Sequence, residues 1–153
     1  MLEVGLDILT GGRPAFLNLP KPLITSQVAT LLPHAAAVYE LREDVEVDDA
    51  VVQACRGLHA RRYRLALDDF VAGSAAEQLM PYVSFVKIDV QLTDMALVLE
   101  LPRRYKPHRV TMVAEKVETR EVFDATRQAG YTLFQGYYFC RPIIRTGTTL
   151  PAK

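Results

Sequence analysis

The sequence predicts an α/β fold built from successive β/α units, and two patterns support this prediction. Short, near-continuous apolar runs alternate with longer amphipathic segments, which is typical of parallel strands that are buried on both faces and connected by helices. A polar or charged side chain also follows or ends each apolar run. The predicted strands lie within Ala15–Pro20, Ala36–Leu41, Arg64–Phe70, Ser84–Val90, Val110–Val117 and Tyr131–Phe139.

Capping and stop signals predict the helices between these strands. Asp48 and Thr119 are candidate N-caps, and Gly130 is a C-terminal stop. The predicted helices are Thr25–Leu32 before Pro33, Asp49–Arg62, Ser74–Met80, Asp94–Tyr105 after Thr93, and Arg120–Ala129. A complete β/α barrel has eight units. About six units therefore predict an incomplete (β/α) TIM-type barrel or an open sheet.

Composition limits the class of function. The chain has 153 residues, of which 50% are hydrophobic, and this is enough for one domain with a core. Lys plus Arg equals Asp plus Glu at 18 each, so there is no electrostatic argument for binding a nucleic acid polymer or an anionic membrane. Cys55 and Cys140 are too few for a disulfide framework or a zinc site.

Hydropathy and the amino terminus bear on location. No apolar run reaches the roughly 18 residues of a membrane span, and no basic segment followed by an apolar run resembles a secretion signal. We therefore expect a cytoplasmic protein with reduced thiols.

The polar residues at the strand ends are the candidate site. In strand order they are Asn18, Glu40 with nearby Glu43, Asp68 with Asp69, Lys87, Glu115 with nearby Glu118, and Gln135. Parallel strands direct their carboxyl ends to one edge of a sheet, so these side chains should converge. Crowded carboxylates need compensating charge, and oxygen ligands favour Mg²⁺, Mn²⁺ or Ca²⁺ over zinc. The implied chemistry is metal-assisted attack of water on a phosphodiester.

The strand-end motifs, taken in order, resemble a known family. They read FLNLP, YELRE, LALDDF, VKIDV, VAEKVET and FQGYYFCRP, and they extend from about Ala15 to Pro142. This set resembles the EAL domain, the bacterial cyclic di-GMP phosphodiesterase. The resemblance implies a TIM-type barrel without its first strand, two Mg²⁺ or Mn²⁺ ions, and cyclic di-GMP as the ligand.

The resemblance also implies a role for each site residue. The metal ligands would be Asn18, Glu40, Asp68 and Glu115, with Asp69 on the second metal. Lys87 would orient the attacking water, and Glu43 would anchor the loop after the Asp pair. Glu118 and Gln135 would contact water or ligand. Structural roles unrelated to catalysis also remain open for these residues. Lys87 can be a solvated strand-end charge, Glu43 a surface acid, and Gln135 a partner for backbone near Gly136.

Three departures from the family pattern bear on activity. No Glu-Ala-Leu tripeptide precedes Asn18, so one metal ligand of active members is absent from the sequence. The Gly-Thr-Gly turn after the Asp pair reads Val71-Ala72-Gly73. Lys116 replaces the glycine between Glu115 and Val117.

The altered loop resembles that of two-domain proteins in which an HDOD domain follows an EAL-like half. On this reading, residues 1–145 are an EAL-like domain truncated at its N-terminus, and residues 146–153 are a tail or the start of a linker to an HDOD-type partner domain. An incomplete barrel has open edges. We therefore also expect a protein partner or self-association into a homo-oligomer.

Three functions remain open on these grounds. The first is a catalytically impaired regulatory module that binds a nucleotide or a protein. The second is an active metal-dependent phosphodiesterase that converts cyclic di-GMP to the linear dinucleotide, and the third is a structural fragment. An unrelated α/β phosphate-binding domain is disfavoured, because the chain has no Gly-rich phosphate loop.

Overall fold

In the computed structural model, which describes residues 10–141, six parallel strands form one sheet in sequence order. The strands are β1 Ala15–Asn18, β2 Ala37–Leu41, β3 Arg64–Leu67, β4 Phe85–Asp89, β5 Thr111–Glu115 and β6 Leu133–Phe134. Each strand pairs in parallel with the next one along the chain. The predicted fold class, an incomplete β/α barrel, is confirmed. The predicted tail at residues 146–153 lies outside the described residues, as does the segment before Thr10.

Alternate residues of each strand face opposite sides of the curled sheet. The outward residues, among them Tyr39, Leu67 and Ile88, join the buried core beneath the helices. Their inward neighbours include Glu40 and Lys87, which are also buried. Both faces of the sheet are covered over most of their area. The strand sequences are therefore continuous apolar runs that end in polar residues.

Between residues 11 and 141, the α-helices on the outer face are α1 Lys21–Ile24, α2 Asp49–Ala60, α3 Met95–Arg104 and α4 Arg120–Ala129. The bounds of α4 match the prediction, since the Thr119 hydroxyl accepts from the Val122 amide at 3.3 Å and Gly130 adopts φ 115°. Asp48 caps α2 by accepting from the Val51 amide at 3.0 Å. The helix ends at Ala60, earlier than predicted, because the chain turns into the left-handed region at Arg62.

The predicted helix Thr25–Leu32 is wrong. Thr25 ends α1, which begins beside Pro20 and Pro22, and a separate 3₁₀ helix spans Gln27–Thr30. Ser26 separates the two, because its side chain accepts from the Val28 amide and starts a new turn.

Two further helix starts also differ from the prediction. The segment after Ser74 is a 3₁₀ helix, Ala75–Leu79, and Ser74 makes no side-chain cap bond to it. At α3 the cap is Asp94 instead of Thr93, because the Asp94 carboxylate accepts from the amides of Ala96 and Leu97.

The sheet is open at its two edge strands, β1 and β6. Among residues 10–141, β1 and β6 each pair on one side only. Phe16 on β1 and Leu133 on β6 are 43% and 42% exposed, and they line a cavity of about 210 Å³ with Val113 and Gln135. Over the same residues, no helix has the length and apolar character needed to cross a bilayer.

Candidate metal centre

Strand register brings the polar strand ends to one edge of the sheet. Asn18 of β1 pairs with Glu40 of β2, and Asp89 of β4 pairs with Glu115 of β5. Gln135 follows β6 directly, and its amide donates to the carbonyl of Ala114, the residue before Glu115, at 2.8 Å. The parallel order of strands thus places these side chains at neighbouring positions.

Lys87 lies at the centre of this edge and contacts carboxylates from three other strands. Its Nζ atom is 2.5 Å from Glu40 Oε1, 2.6 Å from Asp68 Oδ1 and 2.9 Å from Glu115 Oε1. The Lys87 side chain is only 9% exposed. We call Glu40, Asp68, Lys87 and Glu115 the strand-end cluster. It holds three carboxylates and one ammonium, so it carries net negative charge when all are ionised.

The pKa values within the cluster reflect this imbalance. Burial by itself would lower the pKa of Lys87, but its three carboxylate contacts raise it above the ordinary lysine value. Burial raises the pKa of Glu115 to about 7, and the opposing effect of Lys87 does not cancel this. The two shifts are compatible because one ammonium is shared among three carboxylates and cannot compensate all of them.

Asp69 completes a group of three carboxylates that could hold a cation. Ligand oxygens of Asp68, Asp69 and Glu115 lie within 4.8 Å of one another. Asp69 adopts φ 43°, and within residues 10–141 its buried Oδ1 atom has no hydrogen-bond partner. Burial raises the pKa of Asp69, and neighbouring carboxylates add to this against the opposing charge of Lys116. An unpartnered carboxylate oxygen beside two further carboxylates fits a hard divalent cation.

The remaining predicted site residues lie at the exposed rim. Asn18, Glu118 and Gln135 are exposed. Glu43 is also 45% exposed, and its nearest charged partner is Arg42, at 3.9 Å. Gly136 places Gln135 close to β5: it has φ 153°, and a Cβ atom there would lie 2.1 Å from the Val117 carbonyl oxygen. The structure therefore brings together Glu40, Asp68, Asp69, Lys87 and Glu115, with the others around them.

The sequence reasoning missed an ion pair between Asp89 and Lys116. The Lys116 ammonium donates to Asp89 Oδ2, while Asp89 Oδ1 accepts from the amides of Gln91 and Leu92 at 2.8 and 3.1 Å. Burial alone would raise the pKa of Asp89, but these donors lower it. Lys116 has φ 57°, a conformation that glycine adopts without strain. The signal was available in the sequence, because Asp89 ends β4 and Lys116 directly follows β5, the adjacent strand.

The model for the EAL domain matches residues 17–142 of this chain. The chain belongs to the EAL domain family. This match confirms the resemblance that the strand-end motifs indicate. The polar strand ends described above belong to these motifs.

Curated relatives extend well beyond this EAL domain. The chain is 38% identical over 145 residues to cyclic di-GMP phosphodiesterase CdgJ of Vibrio cholerae, covering 94% of this chain and 34% of that protein. It is 34% identical over 154 residues to YuxH of Bacillus subtilis, covering 97% of this chain and 38% of YuxH. The chain thus spans less than two-fifths of the length of either relative.

Solved EAL structures share the fold. The Pseudomonas aeruginosa FimX EAL domain bound to c-di-GMP superposes with a TM-score of 0.71 at 20% identity, covering 90% of this chain and 66% of that one. At that identity the likeness shows the fold alone. The manganese and cyclic di-GMP complex of Klebsiella pneumoniae BlrP1 gives a TM-score of 0.69 at 26% identity, covering 90% of this chain and 41% of BlrP1.

Proposed function

We propose that this EAL domain binds Mg²⁺ or Mn²⁺ and, through it, cyclic di-GMP, and that it acts as a regulatory module with impaired catalysis. The observation that carries the proposal is the group formed by Asp68, Asp69 and Glu115, in which a buried Asp69 oxygen has no partner among the described residues. Relatives of this chain are named cyclic di-GMP phosphodiesterases, which favours this dinucleotide as the ligand.

In the proposed site the carboxylates divide between two cation positions. Asn18, Glu40, Asp68 and Glu115 would be metal ligands, and Asp69 would bind the second cation. A bound divalent cation supplies Lewis-acid polarisation of phosphoryl oxygens and lowers the pKa of bound water. Lys87 offsets one of the three negative charges of the cluster, and its ammonium could donate to a water or a phosphate oxygen once a cation takes over one of its three carboxylate contacts. Glu118 and Gln135, at the rim, would contact the ligand.

Impairment is proposed from two residues at the rim. Lys116 brings a positive charge next to Asp89 and near Asp69, where it repels a cation bound at Asp69. Val71 is 63% exposed and replaces a family glycine in the loop after the Asp pair. Both changes weaken cation binding at the second position more than at the first.

Active hydrolysis to the linear dinucleotide is the second candidate. The observation in its favour is the position of Lys87, which contacts carboxylates from three strands and is therefore held in one orientation. Such a lysine would orient a water for attack on the phosphorus if both cations were bound.

Calorimetry and product analysis on the purified chain test both candidates. We expect cyclic di-GMP to bind only when Mn²⁺ is present, with little or no linear product. Asp68→Asn should abolish Mn²⁺ binding, whereas Asp124→Asn, on the outer helix α4, should not. Turnover that Asp68→Asn abolishes would replace the regulatory proposal with the enzymatic one. If the affinity for cyclic di-GMP does not depend on Mn²⁺, both the regulatory and the enzymatic candidate functions are contradicted.

The surroundings of the domain are also proposals. We propose that residues 1–145 form the EAL-like domain, that residues 146–153 lead to an HDOD-type or other protein partner in the cytoplasm, and that the open edges of β1 and β6 support homo-oligomers. The open inner surface beside Phe16 and Leu133 supports the last of these.

A further inference from the structure

The segment that follows Asp68 and Asp69, residues 70–74, is here called the Asp-pair loop. Its first residue is tied to the sheet, because the Phe70 amide donates to the Lys87 carbonyl at 3.0 Å. The Phe70 ring is 4% exposed and packs edge-on against the ring of Tyr105, with centroids 5.5 Å apart. The loop is therefore held from the sheet on one side and from the end of α3 on the other.

Three donors converge on one oxygen of Glu77, just beyond this loop. The Gly73 amide donates to Glu77 Oε1 at 2.8 Å, and the Arg104 guanidinium lies 3.2 Å from the same atom. The Tyr105 hydroxyl donates to it in a short hydrogen bond. The Tyr105 bond and then the Gly73 bond lower the pKa of Glu77, so its carboxylate stays charged near neutral pH.

Glu43, by contrast, makes no hydrogen bond to residues 70–74 in the part of the chain that the structure describes. The resemblance to EAL domains implies that role for Glu43, but its nearest charged partner is Arg42, at 3.9 Å. Among residues 10–141, the only side-chain bond to a backbone group of residues 70–74 is the one from Gly73 to Glu77.

Asp69 needs such an anchor because of its backbone conformation. It adopts φ 43°, in the left-handed region that side chains other than glycine disfavour. A residue keeps such a conformation only when its surroundings hold it there. The contacts that hold the chain after Asp69 are those of Phe70 and Gly73.

We infer that Glu77, held by Arg104 and Tyr105, anchors the Asp-pair loop and thereby positions the Asp69 carboxylate for the divalent cation. The inference rests on the proposed cation site. Glu77, Arg104 and Tyr105 are positioning residues, since none of them belongs to the group of candidate ligands. In this chain the anchor comes from α3 and the 3₁₀ helix Ala75–Leu79 instead of from Glu43.

The test combines amide exchange at Gly73, measured by NMR, with Mn²⁺ affinity, measured by calorimetry on the same samples. Glu77→Ala should accelerate Gly73 exchange about tenfold and weaken Mn²⁺ binding about three- to tenfold, as expected for loss of a hydrogen bond to a charged group. Glu77→Gln keeps an acceptor oxygen and should restore most of both. Tyr105→Phe keeps the ring on Phe70 and should show a smaller loss.

A destabilised control separates positioning from general stability. Val98→Ala removes buried volume from α3 away from the Asp-pair loop, so it should lower the melting temperature and leave Mn²⁺ affinity within twofold of wild type. The inference is overturned if Glu77→Ala binds Mn²⁺ as wild type does, or if Val98→Ala loses affinity to the same extent. If the wild-type chain binds no Mn²⁺, the proposed cation site fails first, and this inference fails with it.

Discussion

The strand-end cluster and the Asp-pair loop are adjacent in space but differ in how they are built. Glu40, Lys87 and Glu115 lie on β2, β4 and β5 and are buried, and the Lys87 ammonium contacts both carboxylates directly. The Asp-pair loop has an exposed Val71 where the family has glycine, and its anchor is Glu77. The cluster follows from sheet register, which local substitutions do not alter, whereas the loop depends on single contacts. The departures at Val71 and Lys116 both lie outside the strand-end cluster.

The largest expected effect comes from removing the cation of the cluster. Lys87→Met leaves three carboxylates buried without compensation, which should lower the free energy of unfolding by roughly 3–5 kcal/mol without metal. Urea denaturation measures this, and Mn²⁺ should restore part of the loss by supplying positive charge. Lys106→Met, at an exposed lysine, is the control and should change little. An unchanged midpoint in Lys87→Met would mean that the cluster is not formed.

The next effect concerns pH and Glu115. Its pKa is raised by folding from about 4.5 to about 7, so its contribution to stability is fully present below pH 4.5 and is lost as pH rises through 7. Glu115→Gln removes this dependence. Without metal, the variant should gain roughly 1–3 kcal/mol relative to wild type between pH 4.5 and pH 8.

Denaturation midpoints across this pH range test the prediction. Glu121→Gln, in the first turn of α4, is the matched substitution at an exposed position. A stability difference between Glu115→Gln and wild type that stays constant from pH 4.5 to pH 8 would show that Glu115 titrates normally.

The sequence could predict the strand order and the convergence of the cluster, but not every helix or the loop anchor. Six parallel strands and the convergence of Glu40, Asp68, Lys87 and Glu115 follow from apolar runs that end in polar residues, because parallel strands share one carboxyl edge. The helix Thr25–Leu32 could not be excluded from its pattern, since the restart at Ser26 depends on one side-chain bond. The Glu77 anchor was also missed, because it joins residues 27 or 28 positions apart through tertiary packing.

A smaller effect is expected at the rim. Lys116→Gly removes a residue with φ 57° and the ammonium beside Asp89, so Mn²⁺ should bind up to about tenfold more tightly, while the denaturation midpoint changes little. Arg109→Gly is a matched control, since Arg109 has φ 58° and belongs to a turn away from the cluster. Equal calorimetric affinities for Lys116→Gly and wild type would show that Lys116 does not affect the cation.

The smallest effect concerns the open inner face. If self-association uses the edges of β1 and β6, Phe16→Ser and Leu133→Ser should reduce the average mass in light scattering at high concentration. Leu31→Ser changes a residue that is 77% exposed and lies off the sheet, so it should not. A wild-type chain that stays monomeric at high concentration would contradict association through these edges.

Titration of Mn²⁺ into the metal-free chain tests the central claim most directly, because it asks whether Asp68, Asp69 and Glu115 hold a cation. The account predicts saturable binding that Asp69→Asn weakens at least tenfold and that Asp124→Asn leaves unchanged. Wild-type and Asp69→Asn chains that bind Mn²⁺ equally, or a wild-type chain that binds none, would contradict it.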